Sequence, residues 1–134
     1  MTEPFGSIPL VIDSSAWFRQ HEPTVRARWQ ATARAGLLAA CPVVALEVLA
    51  NTRAEDEYHE LSAVFDELPQ APVTASVCRA ALAASRELRG SRRLPAADYL
   101  IAAAAAERGF GVLHKDRHFD TLARVLPFQS VWLE

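Results

Sequence analysis

A short apolar run that stops abruptly at a carboxylate constrains this chain more than any other feature. Residues 10–12 carry no charge, and Asp13, Ser14 and Ser15 follow at once. An apolar run rich in β-branched residues and closed by turn formers is typical of a strand buried on both faces. Ligands of open parallel sheets bind beyond the carboxyl ends of the strands, where the strand order reverses. We therefore expect Asp13 at the edge of the sheet where a ligand would bind.

Strands and helices alternate along the remaining chain, and this alternation decides the predicted fold class. Strands are expected at 10–13, 37–41, 110–114 and 130–133, with a brief strand near Val73. Helices are expected at 24–35, 43–53, 55–68, 76–88, 96–108 and 118–125, after a short helix that contains Trp17 and Phe18 and is capped by Ser14 or Ser15. The pattern predicts an α/β protein, an α/β/α sandwich around a central, mostly parallel sheet of four or five strands.

Length and charge limit what the chain can be. Residues 1–134 fit a single domain, with residues 1–8 expected as a loose leader. A formal net charge of −2 excludes a strongly basic nucleic-acid coat, although it allows a local basic patch. The first residues lack the basic and apolar regions of a secretory signal, and no apolar run is long enough to span a membrane. We therefore expect a cytoplasmic protein.

Four of the 16 acidic residues interrupt apolar sequence. Asp13 ends the first strand, and Asp116 follows the third long strand. Glu47 interrupts an apolar helix, and Asp98 lies in the first turn of a helix that continues into five alanines. Charged side chains are rarely buried unless they are paired or bind a metal. Strand ends and the starts of the two helices could line one rim, so we expect these four acids to meet there.

Each of these acids, taken alone, also fits an ordinary structural role. Asp13 fits a helix N-cap, and Asp98 fits the favourable dipole position near a helix N-terminus. Asp116 fits a turn, and Glu47 fits a buried ion pair with an arginine. The functional interpretation therefore depends on the four acids occurring together.

Clustered carboxylates indicate a metal site. They repel one another, so some of them hold protons unless a cation neutralises the group. Mg²⁺ typically binds one or two carboxylates and completes its coordination with water and substrate phosphate oxygens. A bound metal activates water and offsets the charge that builds on a phosphodiester. The residues alone therefore predict metal-assisted phosphoester hydrolysis.

Four motifs resemble those of PIN-domain nucleases and, more closely, those of VapC toxins from type II toxin–antitoxin modules. The motifs are VIDSSAW at 11–17, LEVL at 46–49, PAADYLIA at 95–102 and LHKDRHFD at 113–120. Their occurrence in this order makes the resemblance specific, and it extends from about Leu10 to Leu133. The resemblance implies the PIN-domain fold and an endoribonuclease that depends on Mg²⁺, with Mn²⁺ as an alternative.

The resemblance also assigns roles to individual residues. It implies four catalytic acids, at Asp13, Glu47, Asp98 and Asp116. Asp13 and Asp98 match the principal metal ligands, and Ser15 matches a supporting hydroxyl residue. Asp120 is an alternative to Asp116 as the fourth acid, because two acids occur close together here, and His118 stands where relatives often carry another polar or acidic residue.

The resemblance further implies partners. They are an RNA substrate, a cognate VapB-type antitoxin that masks the site, and a second copy of the chain, so that both a homodimer and a toxin–antitoxin hetero-oligomer are expected. Two other functions remain as alternatives. One is a PIN-like nuclease that acts on DNA or structured nucleic acid. The other is a non-enzymatic receiver-like α/β module, although such modules usually carry paired acids where this chain has Asp13, Ser14 and Ser15.

Three further residue groups have both a functional and a structural interpretation. Basic residues around the acids would hold the RNA backbone or cover a solvated helix end; they are Arg86, Arg89, Arg92, Arg93, Lys115 and Arg117. Trp17, Phe18 and Trp29 would form a docking surface for a protein partner or pack in the core. His114 and His118 have the i, i+4 spacing of zinc ligands, but no further His or Cys completes such a site.

Overall fold

Four strands and seven helices follow one another in the computed structural model, which describes residues 2–91 and 93–134. They are β1 (Leu10–Ile12), α1 (Ser14–Trp17), α2 (Arg26–Arg34), β2 (Leu38–Ala39), α3 (Pro42–Leu49), α4 (Glu55–Glu67), α5 (Ala75–Glu87), α6 (Ala96–Arg108), β3 (Gly111–His114), α7 (His118–Leu122) and β4 (Gln129–Trp132). Arg92, one of the predicted RNA-binding residues, lies outside the described residues. Most of the predicted elements occur, with ends that differ by a few residues.

The strands form one parallel sheet in the order β2-β1-β3-β4. Leu10 of β1 pairs with Leu38 of β2 on one side and with Gly111 of β3 on the other. The chain therefore leaves β1 on one side and returns on the other, so the strand order reverses between β1 and β3. The predicted α/β class and parallel sheet are confirmed. The carboxyl ends of β1 and β3 border the position where such sheets bind ligands.

Two helical layers enclose the sheet, because successive strand residues point to opposite faces. Leu10 and Ile12 pack on one face with Trp29 of α2. Val11 packs on the other face, in a cluster that includes Ile101 of α6 and residues of α3, α4, α5 and α7. The predicted α/β/α sandwich is therefore confirmed.

The alanine run of α6 allows this helix to be buried between α5 and the sheet. Residues 102–105 are at most 1% exposed. Small side chains let the neighbouring backbones approach closely, which explains the run without any chemical role. Gly109 then ends the helix in the left-handed conformation, with φ of 71°, that glycine adopts without strain. The buried middle of α6 fixes the direction of its first turn, which carries Asp98.

The leader expected over residues 1–8 is not loose at Phe5. The Phe5 side chain is buried in the same cluster as Leu10, and its backbone N–H donates to Thr32 Oγ1 over 2.9 Å. The guanidinium of Arg28 lies 4.3 Å from the centre of its ring. Phe5 therefore packs this segment against α2.

The brief strand expected near Val73 is wrong. Within residues 2–91 and 93–134 the structure has no strand there, and an isolated bridge joins Ala40 to Gln70 instead. Pro69 and Pro72, which lack the N–H that a ladder requires, flank this bridge.

Among the described residues, no helix combines the length and the apolar character that crossing a membrane requires.

Candidate active site

The four predicted acids line one pocket at the carboxyl ends of β1 and β3. The pocket has a volume of about 420 Å³. Its lining consists of Asp13, Ser14, Ser15, Phe18, Arg19, Glu47, Pro95, Ala97, Asp98 and Asp116. Asp13 and Asp116 thus line the same pocket, although 103 positions separate them in the sequence.

Asp13 both caps α1 and lines the pocket, so the structural and functional interpretations of this residue are compatible. Its Oδ2 accepts hydrogen bonds from the backbone N–H of Ser15, over 3.1 Å, and from Ser15 Oγ, over 2.5 Å. The prediction that Ser14 or Ser15 caps α1 is therefore wrong, because Asp13 is the N-cap. The residue is 4% exposed. The two donated hydrogen bonds hold its carboxylate in a fixed direction.

Ser15 also joins the two strand ends that border the pocket. Its Oγ accepts the backbone N–H of Lys115, which follows β3, over 3.0 Å. The same oxygen donates to Asp13, at the end of β1. This hydroxyl therefore links the segments that carry Asp13 and Asp116, in addition to the backbone hydrogen bond from the Asp13 N–H to the Leu113 carbonyl.

Asp98 is the most perturbed acid of the pocket. It lies in the first turn of α6 and is 8% exposed. Burial raises the pKa of its carboxyl to about 6, a hydrogen bond from His118 opposes this rise, and the Asp13 and Asp116 carboxylates add to it. A buried carboxyl with other carboxylates nearby keeps its proton to a higher pH than usual, and a cation that compensates the charge opposes this shift. Asp98 is therefore the residue that gains most from a cation in the pocket.

Glu47 reaches the pocket from the outer side. It is the sixth of the eight residues of α3, rather than near the helix start as expected, and it is exposed. Partial burial raises the pKa of its carboxyl, and the carboxylates of Asp13 and Asp98 raise it further. The acids therefore influence one another across the pocket, as a shared cation site requires.

Asp116 is held by hydrogen bonds to the residues two positions before and two positions after it. Its Oδ1 accepts the backbone N–H of His118 over 3.0 Å, and its own N–H donates to His114 Nδ1 over 3.1 Å. It is half-buried. These contacts orient the carboxylate toward the start of α7.

Asp120, the alternative fourth acid, is engaged elsewhere. Its Oδ1 accepts from Ser130 Oγ over 2.9 Å, and its Oδ2 accepts from Trp132 Nε1 over 2.9 Å. Asp120 does not appear in the pocket lining formed by the described residues. Of the two candidates, the geometry brings Asp116 into the pocket.

Ser130, which donates to Asp120, also contacts the fully buried His114. Because His114 Nδ1 accepts the Asp116 N–H, the ring proton belongs on Nε2, which lies 2.7 Å from Ser130 Oγ. Burial lowers the pKa of this imidazole. A neutral His114 therefore connects the Asp116 backbone to β4, which is a structural role and not that of a zinc ligand.

His118 is the site residue that sequence reasoning did not identify. Its Nδ1 lies 2.8 Å from Asp98 Oδ2 and 3.3 Å from Asp116 Oδ1. One ligand atom from each of these three residues lies within 4.8 Å of the others. A sequence feature that indicates this role is the position of His118 two residues after Asp116, one of the four predicted acids.

The aromatic residues divide between core and pocket. The ring of Trp17 lies 4.8 Å from that of Phe65 and 6.3 Å from that of Trp29, so both tryptophans pack internally. Phe18 is instead 58% exposed and lines the pocket with Arg19.

The predicted basic residues within the described ranges are exposed; they are Arg86, Arg89, Arg93, Lys115 and Arg117.

The donor set of the pocket fits a divalent cation. Carboxylate oxygens are the preferred ligands of Mg²⁺ and Mn²⁺, and imidazole nitrogen is acceptable to transition metals. Burial and the neighbouring carboxylates raise the pKa values of Asp98 and Glu47, and a bound cation would lower both. Asp13, Asp98 and Asp116 are the acids best placed to hold a cation, with His118 beside the last two.

Comparison with known proteins agrees with the motifs. The profile of the PIN domain matches residues 10–125. The Mycobacterium tuberculosis (strain H37Rv) protein named ribonuclease VapC51 is 35% identical over 132 residues, covering 95% of this chain and 94% of the relative. Ribonuclease VapC18 from the same organism is 32% identical over 127 residues, covering 91% and 93%.

Solved structures share the fold at low sequence identity. VapBC2 from Rickettsia felis, bound to a promoter DNA fragment, contains a chain with a TM-score of 0.73 and 11% identity, covering 95% of this chain and all of that one. VapBC-5 from Mycobacterium tuberculosis gives a TM-score of 0.65 and 20% identity, covering 94% and 99%. The predicted fold is therefore confirmed, and the receiver-like alternative is disfavoured.

Proposed function

Because this chain belongs to the PIN-domain family, and within it to the VapC ribonucleases, we propose that it is the toxic component of a type II toxin–antitoxin pair. It hydrolyses phosphodiester bonds of RNA with the help of a divalent cation, Mg²⁺ or Mn²⁺. It acts as a single domain in the cytoplasm. The observation that supports this proposal most directly is the shared pocket of Asp13, Glu47, Asp98 and Asp116.

In the proposed reaction the chain's own residues bind and orient. Asp13 and Asp98 would hold the cation, and Ser15 keeps the Asp13 carboxylate in place through its two donated hydrogen bonds. The cation supplies an activated water and offsets the charge that develops on the phosphate. Glu47, whose pKa is raised, is suited to accept the proton of the attacking water. Asp116 completes the acidic set from the other strand end.

Cleavage of RNA by the purified protein tests this proposal. We expect fragments with Mg²⁺ or Mn²⁺, none with EDTA, and a loss of at least about 100-fold for Asp98→Ala, since general acid–base and metal effects are each worth such factors. The exposed Glu60→Gln on α4 serves as the control for loss of an acid. Full activity of Asp98→Ala would contradict the proposed role.

The choice between RNA and DNA needs a parallel digestion. Single-stranded RNA and DNA of the same sequence are incubated with the same protein and cation. RNA cleavage alone supports the proposal, whereas preferential cleavage of DNA supports the PIN-like DNA nuclease. Mapping of the fragment ends on total RNA then identifies the substrate.

We also propose a VapB-type antitoxin and a homodimer as partners. The solved relatives are described as VapBC toxin–antitoxin complexes, which supports an antitoxin for this chain. Co-expression with the product of an adjacent small gene should relieve growth arrest and yield a complex that elutes at larger mass. Growth arrest that no adjacent gene relieves would contradict the pairing.

A further inference from the structure

The His118 side chain already occupies the position of a metal ligand relative to two acids. In an octahedral site with metal–ligand distances near 2.1 Å, neighbouring ligand atoms are about 3 Å apart. His118 Nδ1 lies 2.8 Å from Asp98 Oδ2 and 3.3 Å from Asp116 Oδ1. These two distances therefore match two edges of a coordination polyhedron.

The main chain maintains this arrangement independently of the ring. The backbone N–H of His118 donates to Asp116 Oδ1 over 3.0 Å, so the ring and this carboxylate belong to one local turn. Asp98 approaches from the buried helix α6. The ring is 23% exposed, the Asp98 side chain 12% and the Asp116 side chain 34%, so the group is partly shielded from bulk water. Shielding of this kind favours direct coordination over a hydrated cation.

We infer that His118 Nδ1 binds the cation directly, together with Asp98 and Asp116, and that the site therefore selects a first-row transition cation such as Mn²⁺ over Mg²⁺. This inference rests on the proposed function only in locating the cation in this pocket. Imidazole nitrogen is a good ligand for transition cations, whereas Mg²⁺ prefers oxygen. Coordination requires the Nδ1 lone pair to face the cation, with the ring proton on Nε2.

A hydrogen-bonding role is the competing explanation. In that case the His118 ring donates to Asp98 and leaves the cation to oxygen ligands alone. A surface pair offers a comparison: His59 Nε2 lies 3.5 Å from Glu55 Oε1, with both side chains well exposed. The structure therefore provides a second histidine beside an acid, outside the pocket, as a matched control.

Pulsed electron paramagnetic resonance of bound Mn²⁺ distinguishes the two roles. The full-length protein is labelled with ¹⁵N-histidine and loaded with one equivalent of Mn²⁺. We expect a ¹⁵N hyperfine coupling of directly bound nitrogen in the wild type and in His59→Asn, and its loss in His118→Asn. Because the main result comes from the wild type, it does not depend on how well a variant folds.

Binding competition supplies a second readout. The wild type should bind Mn²⁺ at least about tenfold more tightly than Mg²⁺, and His118→Asn, which keeps a neutral oxygen donor, should reduce this ratio. Bound Mn²⁺ without nitrogen coupling in the wild type would overturn the inference, as would an absence of Mn²⁺ binding. Nitrogen coupling in a protein that fails to cleave RNA would support the inference and count against the proposed function.

Discussion

A single carboxylate can serve the fold and the candidate reaction, as Asp13 illustrates. Its Oδ2 satisfies the start of α1, and the same side chain lines the pocket. At Asp98, burial and the neighbouring carboxylates raise the pKa of the carboxyl to about 6. A carboxyl of this kind lowers the stability of the cation-free protein and is useful when a cation binds. Proteins commonly trade stability for function in this way at functional sites.

Asp98→Asn should stabilise the cation-free protein at high pH. The pKa of Asp98 is about 6 in the folded chain against an ordinary value of 3.8, so its contribution to stability is lost as pH rises through this interval. Asparagine removes the charge and can still accept a hydrogen bond from His118. We expect a gain on the order of 2 kcal/mol in the free energy of unfolding at pH 8, and little difference below pH 4.

Urea denaturation in EDTA at pH 8 and at pH 4 measures this effect. The exposed Glu60→Gln controls for the general removal of a negative charge. An Asp98→Asn variant less stable than the wild type at pH 8 would contradict the expected sign.

At the scale of elements, a polar network that runs from the buried His114 to the exposed Asp120 connects β3, α7 and β4. His114 on β3 donates to Ser130 on β4, and Ser130 donates to Asp120 on α7. Trp132 completes the set by donating to Asp120. Because His114 also accepts the Asp116 N–H, this network positions an acid that lines the pocket.

Ser130→Ala should destabilise the fold by about 1–3 kcal/mol. The substitution leaves the fully buried His114 without its Ser130 partner, which is the cost of an unsatisfied buried polar group. Ser130→Thr, which keeps the hydroxyl and suits a strand, is the matched control. Thermal and urea denaturation compare the two variants, and equal stability would show that the network contributes little.

Gly111→Ala should also destabilise the sheet, for a steric reason. A Cβ at this position would lie 2.8 Å from the backbone oxygen of Gln129 and 2.8 Å from Leu10 Cδ2. The backbone oxygen cannot move without disturbing β4, so a loss of about 1–3 kcal/mol is expected in urea denaturation. Gly6→Ala is the control, because its nearest contact would be an ordinary 3.6 Å from Leu10 Cδ1. Similar losses for both variants would contradict this explanation.

At the scale of the whole molecule, cation binding should raise the thermal stability of the protein. A ligand that binds only the folded state stabilises it by about 2.7 kcal/mol at 100 times its dissociation constant. The melting temperature should therefore increase with Mn²⁺ at pH 8, and the increase should be much smaller in Asp98→Asn. A melting temperature that Mn²⁺ leaves unchanged would argue against a cation in the pocket.

The sequence predicts the architecture well, because the patterns that define it are local. The run at 10–12 predicts β1, and the alanines after Asp98 predict a closely packed helix. Contacts between distant residues are not predictable in this way. Phe5 is held by Thr32, 27 positions away, and the neighbours of His118 include Asp98, 20 positions earlier. The N-cap of α1 was misassigned because Asp13 and the two serines offer the same capping chemistry.

The pocket has an interior wall and an open mouth that differ in how freely their residues can vary. Asp13 and Asp98 belong to segments packed against the sheet, whereas Phe18 and Arg19 stand at the entrance with little behind them. Exchanges at the entrance would alter which ligand is admitted, while the acids of the proposed cation site would remain in place. Duplicated copies of such a gene could in this way diverge in target without first having to rebuild their chemistry.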